Sequence, residues 1–245
     1  MNPHNLTADA HDIPDMIETS SGRILSTLNW LRAGVLGAND GIISTAAIIF
    51  GVAGASAQHS TLILTGIAAI AAGALSMAAG EYVSVSTQRD LELAELERQR
   101  LDLERDPEGE LQVLARLFEQ RGVTSDVAME VSRQMSAKDA LSVHARAELG
   151  IDPEAVTNPW AAAVASMLAF TLGGLVPILP IVIVRQDLAI PISGIAVLIA
   201  LGLTGGIAAR LGHMPAVPSV VRNVIGGIVA VGITYGIGMI AGTRL

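Results

Sequence analysis

Three stretches of the chain contain no charged residue: Pro159–Val184, Leu188–Ala209 and Asn223–Thr243. Each reaches the ~20 residues that a helix needs to cross the hydrocarbon core of a bilayer. A fourth uncharged stretch lies between Asp40 and Glu81. It is long enough for two crossings if the chain turns at Ala57-Gln58-His59-Ser60. The sequence therefore predicts an all-α membrane protein with five transmembrane helices, at about 31–54, 61–86, 159–184, 188–210 and 218–242. Gly37/Gly41, Gly202/Gly206, Gly232/Gly236 and Gly238/Gly242 form small-xxx-small pairs. Such pairs let helices approach closely, within one subunit or between two. Pro177, Pro180 and Pro191 are expected to kink or break the third and fourth spans.

An apolar chain of this kind should carry little charge, and only 16% of its 245 residues are charged, against roughly 25% in soluble domains. Yet the net charge is −8, so the charge must sit apart from the spans. It does: residues 87–158 hold 16 of the 23 acids and 9 of the 15 bases, which leaves −7 of the −8 there. The acidic balance argues against a nucleic-acid partner, which would meet a basic face. The absence of cysteine excludes disulfides, thiolate zinc sites, iron–sulfur clusters and a cysteine nucleophile. The expected organisation is a polar tail (1–24), a transmembrane hairpin (25–86), an acidic helical module (87–158) and three further spans (159–245). Residues 1–22 lack the basic and apolar regions of a signal peptide and read as a tail.

Lys and Arg set orientation. With the N-terminus inside, 13 of the 15 bases fall on the cytoplasmic side, and only Arg185 and Arg244 fall outside. The module is then a cytoplasmic helical bundle inserted between spans two and three, and the C-terminus is outside. The lack of targeting features points to a bacterial inner membrane.

Within the module, residues 87–105 should continue the second span as helix until Asp106-Pro107 stops it. A second helix should run from 107 to Arg121, with Gly122 closing it. A third should start after Ser125, and a fourth at the capping-box-like Ser136-Ala137-Lys138-Asp139, ending at Gly150. Glu92, Glu95, Gln99 and Asp102 share one face of the first helix. His144 and Glu148 stand one turn apart and can meet on one divalent ion, with Glu104, Glu108 and Glu110 around the first turn of the second helix. Oxygen donors with one imidazole suit Fe²⁺, Mn²⁺ or Zn²⁺ better than Cu⁺. The plainer reading is a solvated acidic face partnered by Arg98, Arg100 and Arg105.

Two acids lie inside the spans. Asp40 is about nine residues into the first, where a carboxylate costs roughly 2.5–3.5 kcal/mol on insertion scales. Met77 lies level with it on the antiparallel second span, and Glu81 is one turn below Met77 on the same face. A thioether favours transition metals over Ca²⁺ or Mg²⁺, and carboxylates can exchange metal for protons. Against this, Asp40 could pair with Arg32, Met77 could be packing and Glu81 could sit at the interface.

Gly37-Ala38-Asn39-Asp40-Gly41 and Ser76-Met77-Ala78-Ala79-Gly80-Glu81-Tyr82-Val83-Ser84-Val85-Ser86 resemble the signature of the vacuolar iron transporter family. His144-Ala145-Arg146-Ala147-Glu148-Leu149-Gly150-Ile151-Asp152 in the insert and Asn158-Pro159 before span three extend the resemblance over about residues 25–245. The resemblance implies a five-span homodimer that moves Fe²⁺ or Mn²⁺, with Zn²⁺ or Co²⁺ as further candidate ions, out of the cytoplasm in exchange for protons. It needs no prosthetic group. It implies that Asp40 and Met77 line the path, and that Glu110 and Glu148 match metal-binding glutamates of the cytoplasmic helices. His144 stands where some members carry Met. Gln99 and Asp102 replace glutamates, and Val113 stands where a second acid is expected, so the insert would bind metal more weakly or through neighbours such as Glu95.

The expected metal set is Asp40, Met77, Glu81, Glu95, Asp102, Glu110, His144 and Glu148, in a metal/proton antiporter rather than an enzyme. An intramembrane enzyme using Asp40 and Glu81 would need a nucleophile or water site, and the spans hold only scattered Ser and Thr. A membrane-anchored metal sensor or scaffold working through 87–158 leaves Asp40 without a role.

Overall fold

A computed structural model describes residues 34–155 and 157–243. The polar tail, Arg32 and the first residues of the expected first span lie outside the described residues. Those described are helical, with no strand among them. In chain order the helices are α1 (Gly34–Gly54), α2 (His59–Arg105), α3 (Pro107–Gln120), α4 (Ser125–His144), α5 (Pro159–Ile183), α6 (Gln186–Leu211) and α7 (Ala216–Gly242). A π-helical turn, Ala145–Leu149, follows α4 directly. Five helices are long and apolar enough to cross a membrane: α1, α2, α5, α6 and α7. The chain divides into two compact units, one of residues 83–159 and one of residues 34–82 with 160–243.

In the apolar unit, the first turn lies two residues earlier than expected. α1 ends at Gly54, Ser56 adopts a left-handed backbone (φ 61°), and the Gln58 carbonyl accepts from the N–H groups of Thr61 and Leu62. His59 and Ser60 are therefore the first residues of α2 instead of turn residues. The prolines do not break the helices: α5 runs through Pro177 and Pro180, and α6 through Pro191. In a membrane unit, neighbouring helices and hydroxyls offset the lost backbone bonds. The buried Ser193 hydroxyl of α6 donates to the Pro177 carbonyl of α5 at 2.7 Å, tying the two proline-bearing stretches together.

Small residues decide which helices meet. A Cβ at Gly41 on α1 would overlap the Phe170 carbonyl of α5, and one at Gly173 on α5 would overlap the Ala38 carbonyl of α1. On the other flank, a Cβ at Gly238 on α7 would overlap the Gly51 carbonyl of α1, and Gly54 is equally tight against Tyr235. α1 is thus clasped at backbone distance by α5 and α7, and its Ile42, Thr45, Ala46 and Ile49 are at most 2% exposed. Of the four glycine pairs, Gly37/Gly41 and Gly238/Gly242 serve contacts within the chain. Gly202, Gly232 and Gly236 meet nothing within 4 Å, and Gly206 only the edge of Val220.

In the polar unit, local chemistry sets the helix ends. Asp106 accepts from the Gly109 N–H at 2.9 Å and caps α3, whose first residue is Pro107. Gly122 takes a positive φ of 96° just after α3. The expected third and fourth helices form one run, α4, broken at Asp139 (φ −158°, ψ 91°). The Asp139 carboxylate accepts from the Ser142 N–H at 3.0 Å. The restart is therefore capped by Asp139 and not by Ser136, whose buried hydroxyl has no partner. The π turn ends at Gly150, which is left-handed (φ 68°) and donates its N–H to the Ala145 carbonyl. Leu114 and Ala115 of α3, and Ala128, Ser132 and His144 of α4, are the buried residues of these two helices.

Two stability predictions follow from these contacts, both read by thermal unfolding of the purified full chain in detergent. Gly238→Ala should destabilise by about 1–3 kcal/mol, because a backbone carbonyl cannot yield as a side chain can. Gly226→Ala, with open space around it, should leave the midpoint unchanged. Asp139→Ala should cost about 1 kcal/mol through the lost cap, while Asp139→Asn, which keeps the acceptor, should cost little.

Candidate metal centre

The caps just described bring three side chains together. Glu110 lies in the first turn of α3, directly after the Asp106 cap. His144 ends α4, and Glu148 lies in the π turn one helical step on. Their donor atoms all fall within 4.8 Å of one another. His144 Nδ1 is 2.6 Å from Glu148 Oε1 and 3.8 Å from Glu110 Oε2. The imidazole is 1% exposed and the two carboxylates 19% each. This is the one cluster of three or more acidic or histidine groups of this kind among the described residues.

The chemistry of the cluster follows from its donors. Nδ1 faces both carboxylates, while Nε2 is buried without a partner, so the polar interactions of the ring are all made on the side of the acids. A neutral imidazole with its proton on Nδ1 donates to Glu148. An ion held between the three groups would take the place of that proton. Ligands ~2.0–2.2 Å from a common ion stand at most ~4.4 Å apart. The two separations from His144 Nδ1, 2.6 and 3.8 Å, both fall inside that limit. Two carboxylates and one imidazole match the preferences of Fe²⁺, Mn²⁺ and Zn²⁺.

A fourth residue completes the arrangement from α2. Gln99 is only 6% exposed, and its amide donates to Glu110 Oε2 at 2.7 Å. The face of Glu92, Glu95, Gln99 and Asp102 was visible in the sequence. The pairing of Gln99 with Glu110 was not, because it joins two helices across a turn.

Other acids of the module stand apart from the cluster. Glu95 pairs with Arg98 at 3.3 Å, and Glu97 with Arg100 at 2.7 Å, while Arg100 also holds Glu104. The hydrogen bond and charge of Arg100 hold the Glu97 carboxyl below its ordinary range. This favours the folded state at neutral pH, where Glu97 is ionised, and the contribution is lost in acid as the pH falls through the depressed pKa. Asp102 is half-buried on α2, outside the three-residue cluster. Arginine pairing of the exposed face thus holds for Glu95, Glu97 and Glu104, whereas Glu110 and Glu148 face a histidine.

In the apolar unit, Asp40 is half-buried on α1, and Ser44, one turn on, donates to its Oδ1 at 2.7 Å. The neighbouring Asn39 accepts from Thr204 of α6 at 3.4 Å. Met77 and Glu81 are half-buried on α2. Ser44 was missed in the sequence, although its i,i+4 spacing from Asp40 is the signal that finds it. Arg32, the alternative partner of Asp40, lies outside the described residues.

The chain resembles known proteins over nearly all of its length. Residues 31–239 match the VIT family. A vacuolar iron transporter of Acanthamoeba castellanii is 42% identical over 221 residues, covering 89% of this chain and 81% of that protein. Vacuolar iron transporter homolog 4 of Arabidopsis thaliana is 35% identical over 88% of this chain and 85% of its own length. Vacuolar iron transporter homolog 5 of Oryza sativa subsp. japonica is 36% identical over 85% and 79% respectively. A match that includes both the Asp40 and Met77 segments and the insert with Glu110, His144 and Glu148 places this integral membrane protein in the VIT family.

Proposed function

We propose that the chain exports divalent iron and manganese from the cytoplasm in exchange for protons. The observation that carries this reading is the convergence of Glu110, His144 and Glu148 on one point, in a chain whose relatives are named vacuolar iron transporters. The residues 83–159 face the cytoplasm in this reading, which the 13-to-2 distribution of Lys and Arg supports. Their net negative charge raises the local concentration of cations. Glu95 and Asp102 serve as outer acids of this collector, and the buried cluster is the capture point.

From there the ion passes Glu81 to Asp40 and Met77 in the spans. The ionised carboxylates hold it, and the thioether selects a transition metal over Ca²⁺ or Mg²⁺. When the path opens to the far side, protons rebind the carboxylates and the ion leaves, which couples metal movement to proton movement in the opposite direction. The working unit is a homodimer. Gly202/Gly206 and Gly232/Gly236 support this, since they leave close-approach surfaces unused within one chain.

Uptake of Fe²⁺ and Mn²⁺ into proteoliposomes under an imposed pH gradient tests the reading. Wild type should accumulate both ions and slow sharply when the gradient is collapsed. Asp40→Ala should abolish uptake. His144→Ala should lower it at low metal concentration and approach the wild-type rate at saturation, the signature of lost capture with an intact path. Uptake by Asp40→Ala equal to wild type would overturn the mechanism.

A further inference from the structure

Among the described residues, Gln99 is a buried polar side chain that hydrogen-bonds the capture cluster without being one of its ligands. We propose that Gln99 positions Glu110 and sets the charge preference of the site, so that the cluster is matched to a single divalent ion. The inference rests on the capture reading above.

The geometry is specific. The oxygen that Gln99 holds, Glu110 Oε2, is also the one 3.8 Å from His144 Nδ1. The amide therefore fixes the carboxylate with that oxygen turned toward the imidazole. The orientation of the amide follows from its donors: an amide oxygen turned toward an ionised carboxylate would set two acceptors against each other. A hydrogen bond from a buried neutral donor to a ligating carboxylate is the usual outer support of a metal ligand, and its loss commonly costs 10–100-fold in affinity.

The second half of the argument is charge. Glu110 and Glu148 bring two negative charges, which one divalent ion cancels. A carboxylate at position 99 would stand at hydrogen-bond distance from Glu110. Two buried carboxylates that close need either a shared proton or more positive charge between them. The amide keeps the shape of that side chain and omits its charge. The site is thereby neutral when it holds M²⁺, and it lacks the third negative charge that would favour a trivalent ion.

The test uses the full-length protein in detergent at fixed pH, with Mn²⁺ binding followed by its electron paramagnetic resonance signal and Tb³⁺ binding by luminescence. Gln99→Leu should weaken the tightest Mn²⁺ site about 10–100-fold. Gln99→Glu, isosteric with the native residue, should raise the ratio of Tb³⁺ to Mn²⁺ affinity by about tenfold or more, as expected when ligand charge increases. A residue that only filled space would leave that ratio unmoved, and the glutamate variant keeps the test decisive if leucine loosens the packing. His144→Ala separates the two levels of the argument. If it binds Mn²⁺ as wild type does, the capture reading itself fails. If it loses the site while Gln99→Leu binds normally or Gln99→Glu leaves the ratio unchanged, the role of Gln99 fails and the capture reading stands.

Discussion

The apolar unit depends on the backbone contact that Gly41 and Gly173 make possible between α1 and α5, mirrored by Gly51 and Gly238 between α1 and α7. Within lipid there is no hydrophobic gain from bringing two apolar helices together, so close van der Waals packing must hold them. Glycine on both sides of a crossing is the arrangement that allows it. The result is that α1 is the most enclosed span, 44% buried in its apolar window against 11–39% for the other four. The helix that carries Asp40 is therefore the span most enclosed by the rest of the chain. That matters because a carboxylate in a span costs roughly 2.5–3.5 kcal/mol. The Ser44 hydrogen bond offsets roughly 1.5–3 kcal/mol of that at best.

The polar unit solves a different problem: holding two like charges beside one imidazole. It does so with short-range devices. Asp106 starts α3 so that Glu110 falls in its first turn, where the helix dipole favours a negative charge. Asp139 interrupts α4 and restarts it, and the π turn then brings Glu148 to within 2.6 Å of His144. The unpartnered Nε2 of His144 leaves a buried polar atom unsatisfied, at a cost of about 1–3 kcal/mol.

Much of this was legible in the sequence, and for a definite reason. Charge-free runs report spans directly, because the bilayer penalises every charge in them, and the described span ends agree within two residues, apart from α2, which continues to Arg105 as expected. The Asp106-Pro107 stop, the Gly122 and Gly150 ends, and the His144/Glu148 pair are local signals one turn long. What the sequence hid is non-local or conditional. Pro177, Pro180 and Pro191 break helices in water but are tolerated beside neighbouring helices. Asp139 and Ser136 are both acceptable caps, and the backbone break at Asp139 selects between them. The meeting of Gln99, Glu110 and His144 depends on how three helices pack, which no single periodicity encodes.

The distribution of charge in residues 83–159 bears on where an ion would be recognised. Many exposed acids are already answered by arginine: Glu95 by Arg98, Glu97 and Glu104 by Arg100, Glu130 by Arg133. Exposed pairs of this kind contribute little, and at physiological ionic strength their field decays over about 8 Å. The net negative charge can therefore gather cations near the surface but cannot tell one divalent ion from another. Discrimination needs donors fixed in number, type and spacing, in a place where water does not screen them. Among the described residues outside the spans, the cluster of Glu110, His144 and Glu148 has those properties. Its two carboxylates carry the two negative charges that one divalent ion would neutralise.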